Sequence, residues 1–144
     1  MRPPEAFLDT GVLTDLADSG RAAAVSLDRL SSVAFVVTTV LNAAELLHRA
    51  ASDGEKAAAH GVLTGVHVLG FHQRYASVIA EALDANPPGG LRAAMLAGFC
   101  ISNRVPLVTD DVNHYRGIPH LTVVDIADLS SDPDALARAL QLRH

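Results

Sequence analysis

Three acidic positions stand where this chain can deliver chemistry. Asp9 closes the apolar run Ala6-Phe7-Leu8, Glu45 follows Thr38-Thr39 within a helical pattern, and the pair Asp110-Asp111 closes Pro106-Leu107-Val108-Thr109. A carboxylate at the end of a buried strand is costly to desolvate unless something nearby requires its charge. Clustered acids point to a hard divalent cation, Mg²⁺ or Mn²⁺, which takes carboxylate, water and substrate phosphate oxygens. Two carboxylates ~4 Å apart repel by ~4 kcal/mol at an effective dielectric of ~20. Without a counter-cation, one of them takes up a proton.

The elements that must position these acids alternate between strand and helix. Strands are expected over 5–9, 33–37, 66–71, 106–109 and 121–124, where the runs are short and apolar or β-branched. Helical spacing covers the stretch from Val12 to Ala17, then 21–30, a segment capped by Thr38 or Thr39 and ending at His48 or Ala50, and 55–63, 72–85 and 91–103. Asn86-Pro87-Pro88-Gly89-Gly90 separates the last two, because that run cannot continue a helix. This order predicts an α/β fold: a three-layer, doubly wound, about five-stranded parallel sheet with right-handed crossovers. The expected single domain spans 1–130, with 131–144 as its C-terminal helical tail. In such sheets the ligand crevice lies beyond the carboxyl ends of the strands, where the strand order reverses. If the first and fourth strands are neighbours there, Asp9 meets Asp111, and the helix after the second strand brings in Glu45.

The bulk composition narrows the alternatives. At 144 residues with 49% hydrophobic and 19% charged side chains, the chain can bury a full core and is not disordered. It has neither an apolar run long enough to span a membrane nor a signal-peptide h-region at Met1-Arg2-Pro3-Pro4-Glu5, so a cytoplasmic location is expected. A net charge of −5 argues against wrapping nucleic acid by bulk electrostatics, although Arg2, Arg92, Arg104 and Arg116 can be gathered at one rim. The single Cys100 lies in an apolar helical pattern and reads as a small core residue. The seven histidines include no close His-x-x-x-His pair, so zinc is not indicated. Gly89-Gly90 follows no strand and precedes no Lys-Ser/Thr, so it is not a phosphate-binding loop.

Taken together, Leu8-Asp9-Thr10 with Val12-Leu13, Thr38-Thr39 to Glu45-Leu46-Leu47, and Val105-Pro106-Leu107-Val108-Thr109-Asp110-Asp111 with His114-Tyr115 resemble the PIN domain. The likeness is to the compact VapC-type ribonucleases, the toxin half of toxin-antitoxin pairs. It extends over about residues 4–126. It implies a carboxylate cluster that holds Mg²⁺ or Mn²⁺ and activates water for attack on an RNA phosphodiester. The implied catalytic and metal-ligating residues are Asp9, Glu45 and Asp111. Thr10, Asp110 and His114 would support them, and Arg92 and Arg116 are candidates for RNA contact. The implied partners are an RNA substrate and a cognate antitoxin protein, with the toxin itself a homodimer and no membrane involved.

One position departs from the pattern. The family usually places an Asp thirteen residues before the strand proline, and here that position is Ala93, with no acid between Asp84 and Asp110. The vacancy lowers the local negative charge, and Arg92 beside it can place a cation near the site instead. Two readings follow: a divalent-metal-dependent endoribonuclease, and a catalytically degenerate PIN domain that binds RNA or an antitoxin through the same cleft. A third class, a receiver-like phosphoacceptor, needs a lysine after the last strand, and the one lysine is Lys56.

Overall fold

The computed structural model describes residues 4–19, 30–32 and 34–131. Five parallel strands form one sheet: β1 (Glu5–Leu8), β2 (Phe35–Thr39), β3 (His67–Leu69), β4 (Leu107–Thr109) and β5 (Val123–Asp125). Their order is β3-β2-β1-β4-β5, so the chain winds one way from β1 to β3 and then crosses back to β4 and β5. The reversal falls between β1 and β4, where Phe7 pairs with Leu107 and Leu8 with Val108. This is the adjacency needed to bring Asp9 towards the end of β4.

The two-residue period of the strands divides the core into two layers. Ala6, Leu8, Val36 and Val108 point to one face and pack with Val12, Leu13 and Leu16 of α1 (Thr10–Ser19), Leu46 of α2 (Val40–Arg49), and Ala59 and Val62 of α3 (Asp53–Thr64). Phe7, Val37 and Leu107 point to the other face. There they meet Ala82 of α4 (Ala76–Asp84) and Ala93, Ala94, Leu96, Ala97 and Phe99 of α5 (Gly90–Asn103). The small side chains of α5 let it approach α4 closely. A Cβ on Gly98 would stand 2.4 Å from Ile79 Cγ1, inside van der Waals contact. The last described helix is α6 (Ile126–Ser131).

Most expected elements are present with shifted bounds. The first strand stops at Leu8, which leaves Asp9 beyond its end. The second begins two residues later than expected and continues through Thr39, whose side chain caps α2 by accepting from the Asn42 amide. The third is shorter than expected, at three exposed residues. Before α4 a 3-10 turn occupies Gln73–Tyr75, so helical spacing from His72 begins as a tighter turn. The expected helix over 21–30 lies outside the described residues except for Leu30, and Ser31-Ser32 continue as helix where a turn was expected. The expected tail over 131–144 also lies outside them beyond Ser131. Among the described residues no helix is long and apolar enough to cross a membrane.

Candidate functional site

Beyond the carboxyl ends of β1 and β4 the structure assembles a buried ionic cluster. Asp9, only 3% exposed, sits between the end of β1 and the first turn of α1. Its Oδ1 accepts from the Thr10 amide at 2.8 Å, Arg92 Nη2 at 2.8 Å and Asn42 Nδ2 at 3.3 Å. Its Oδ2 accepts from the Thr109 hydroxyl at 2.9 Å and the Tyr115 hydroxyl at 2.6 Å. A carboxylate offers about four lone-pair positions, so donors from five residues saturate it.

Glu45 approaches from the middle of α2 and is clamped by the same arginine. Arg92 donates from Nε to Oε2 at 2.8 Å and from Nη2 to Oε1 at 2.9 Å, the two-pronged fork that makes guanidinium–carboxylate pairs strong. The Thr10 hydroxyl donates to Glu45 Oε1 at 2.5 Å and accepts from Asn42 Nδ2 at 2.9 Å and Arg92 Nη2 at 3.1 Å. Asn42 is fully buried on α2, and the Thr39 hydroxyl donates to its Oδ1 at 2.5 Å. One network therefore ties α1, α2, α5 and the ends of β1 and β4.

The electrostatics follow from that wiring. Burial alone would raise the Asp9 carboxyl, but the Tyr115 hydrogen bond, the Arg92 charge and hydrogen bond, and the Thr10 amide outweigh it and hold Asp9 below its ordinary value. For Glu45, burial likewise pulls upward, as does the Asp9 charge, and the bonds from Arg92 and Thr10 with the Arg92 charge bring it down. Burial works against the charge of Arg92, yet Glu45 and Asp9 raise it further above its already high value. Burial and the Asp9 charge push the Tyr115 hydroxyl well up, so it remains a hydrogen-bond donor. Arg92 occupies the first turn of α5, where a cation opposes the helix dipole. The two carboxylates offset that cost.

The second pair of acids lies outside this cluster. Asp111 Oδ2 lies 3.0 Å from His114 Nε2, and both side chains are nearly half exposed. Its amide donates to the Thr109 hydroxyl at 3.0 Å, a backbone link to the atom that serves Asp9. Asp110 is more exposed, as expected of that pair, and its carboxylate lies against the first turn of α1. A Cβ on Gly11 would stand 2.2 Å from its Oδ1, so a side chain there would displace that carboxylate. Arg116 is exposed and follows the 3-10 turn Val112–Tyr115. Ala93 is fully buried in the α5 layer, against Gly89.

The structure thus brings together Asp9, Thr10, Glu45 and Arg92 but does not add Asp111. Among the described residues no three His, Cys, Asp or Glu side chains are placed to hold a metal ion. The divalent ion implied by the resemblance does not fit this arrangement. Both Asp9 oxygens are filled, both Glu45 oxygens are engaged by Arg92, and a guanidinium stands where the ion's charge would be needed.

Sequence reasoning placed Arg92 near the site both as a contact for RNA and as a cation beside the vacant Ala93 position, and the second is what the structure shows; it missed Asn42 and Thr109 as partners of Asp9. Tyr115, which the sequence marked only as part of the resemblance, packs in the core, and its hydroxyl is the donor nearest to Asp9. A recognisable signal for Asn42 was its place three residues after the capping Thr39, since that register turns its side chain back towards the strand ends.

A single parallel sheet whose order reverses between β1 and β4, with acids beyond those strand ends, defines the class as a doubly wound α/β fold. Within it, the sequence model of the PIN domain matches residues 6–117, and the chain belongs to that family. Solved structures share the fold. A toxin-antitoxin complex from Klebsiella pneumoniae superposes with a TM-score of 0.64 at 22% identity, covering 83% of this chain and 95% of that one. VapBC2 from Rickettsia felis, bound to a DNA fragment from its promoter, gives 0.64 at 18% identity, covering 84% and 98%. PAE2754 from Pyrobaculum aerophilum gives 0.60 at 17% identity, covering 90% and 88%. No curated protein matches the sequence significantly.

Proposed function

We propose that this chain is a toxin-type PIN protein whose cleft acts by binding a cognate antitoxin, with metal-dependent hydrolysis of RNA silenced. The observation that carries this reading is the engagement of both inner acids, Asp9 and Glu45, by Arg92. A hydrolytic PIN centre needs carboxylate lone pairs for Mg²⁺ or Mn²⁺ and a bound water of lowered pKa. Here protein donors take those lone pairs. The toxin-antitoxin role is supported by the shared fold with the Klebsiella and Rickettsia complexes, whose toxins stand beside antitoxins. The reading carries with it a homodimeric, cytoplasmic protein.

The alternative, a divalent-metal endoribonuclease acting through Asp9, Glu45 and Asp111, is favoured by one observation. Asp110 is exposed and Asp111 nearly half exposed beyond the end of β4, the strand next to β1, while Asp9 and Glu45 already meet on Arg92. It requires Arg92 to leave both carboxylates.

Incubation of the purified chain with a mixed RNA pool in Mn²⁺ and in Mg²⁺, beside a chelator control and Asp9→Asn, separates the two. The expected result is cleavage no greater than in the chelator control. Metal-dependent cleavage that is lost in Asp9→Asn overturns the silenced reading in favour of the ribonuclease.

A further inference from the structure

We infer that Arg92 is the resident cation of this cleft, an internal substitute for a divalent ion, and that truncating it hands the position to a metal. This rests on the silenced reading above and names the residue that enforces it. Three features of the fold support it.

First, one guanidinium satisfies acids from two separate elements, contacting Asp9 at 2.8 Å and Glu45 at 2.8 and 2.9 Å. Bridging two carboxylates that arrive from different elements is the task of an ion in an acidic centre. Second, Arg92 does this from the first turn of α5, a place unfavourable to a cation on its own. The acid pair is what holds it there. Third, the neighbouring side chain, Ala93, is fully buried and contributes no charge. The cluster therefore holds two carboxylates against one guanidinium and has little residual charge with which to attract a further cation.

The supporting polar shell does not depend on Arg92. Thr10, Asn42, Thr109 and Tyr115 fix Asp9, and Thr10 reaches Glu45. If Arg92 is shortened, these contacts still hold the two carboxylates in place, now unneutralised, with Glu45 Oε2 and the Arg92-facing side of Asp9 Oδ1 freed for a divalent ion. Asp111 lies one backbone hydrogen bond from the same shell, through Thr109.

The test is thermal melting and calorimetric titration with Mn²⁺ alone, on the full chain. The wild type is expected to melt within about 1 °C of the same temperature in chelator and in millimolar Mn²⁺, because nothing binds the folded state preferentially. Arg92→Gln is expected to melt roughly 5–10 °C lower in chelator and to regain most of that in Mn²⁺, with saturable binding. Arg92→Met, uncharged but of similar reach, serves if the glutamine variant does not fold, and it is expected to gain a Mn²⁺-dependent rise of a few degrees that the wild type lacks.

A wild type stabilised by Mn²⁺ as strongly as its Arg92 variants overturns the inference. So do foldable variants that remain indifferent to Mn²⁺. The latter result leaves the silenced reading standing, since that reading is decided by RNA cleavage in the wild type.

Discussion

Two acidic regions lie at the same end of the same sheet, one strand apart, and behave as opposites. At the end of β1, Asp9 is almost fully buried and receives donors from five residues. At the end of β4, Asp111 is half exposed and pairs with a half-exposed histidine. Both are aspartates just beyond strand ends, Asp9 one residue after β1 and Asp111 two after β4, so residue type does not account for the contrast. What differs is the surrounding elements. α1, α2 and α5 converge over β1 in the middle of the sheet, whereas β4 runs out into a short 3-10 turn towards the β5 edge. A buried carboxylate persists only where donors replace its lost hydration, and the centre of the sheet supplies them.

Asp9→Asn should break the contrast most severely. An amide brings two N–H donors into a site built of donors and removes the charge that Arg92 faces. A loss of ~3 kcal/mol in denaturant unfolding is expected, since it leaves a partly buried guanidinium short of a partner. A loss under ~1 kcal/mol would show that the network around Asp9 contributes little to folding.

Acid titration sharpens the same comparison with a smaller effect. Asp9 and Glu45 titrate below their ordinary values of 3.8 and 4.5, so the unfolded chain binds more protons than the folded one as pH falls through that range. Stability from this pair is complete above those ordinary values and is lost as pH drops through the lowered ones. Melting temperature should be insensitive to this pair between about pH 6 and 7 and fall steeply below about pH 4. Asp9→Asn should show a shallower acid limb.

The smallest effect is expected at the rim. Asp111→Asn removes one partner of an exposed pair, worth ~0.5 kcal/mol or less, so its denaturation midpoint should match the wild type. A loss comparable to that of Asp9→Asn would mean that Asp111 belongs to the inner cluster after all.

Much of the fold was legible in short patterns. The apolar runs over 5–9, 33–37 and 106–109, the threonine cap before α2, and the Pro-Pro-Gly-Gly break before α5 each depend on neighbours within a few residues. Strand-end acids could be nominated for the same reason. The bounds of β3 and the 3-10 turn before α4 were harder to read, because three-residue elements with exposed side chains carry almost no periodicity.

The sequence by itself determined the alternation of strands and helices, the acids at their ends and the absence of an acid at Ala93. Only the tertiary structure decided what those acids do. Arg92 lies 83 residues from Asp9 and 47 from Glu45, and Tyr115 lies 106 from Asp9. No local pattern encodes which donors a crossover will bring together. That choice is made when α5 packs across the switch point, where reduced solvation favours an internal cation beside the buried Asp9 and the partly buried Glu45.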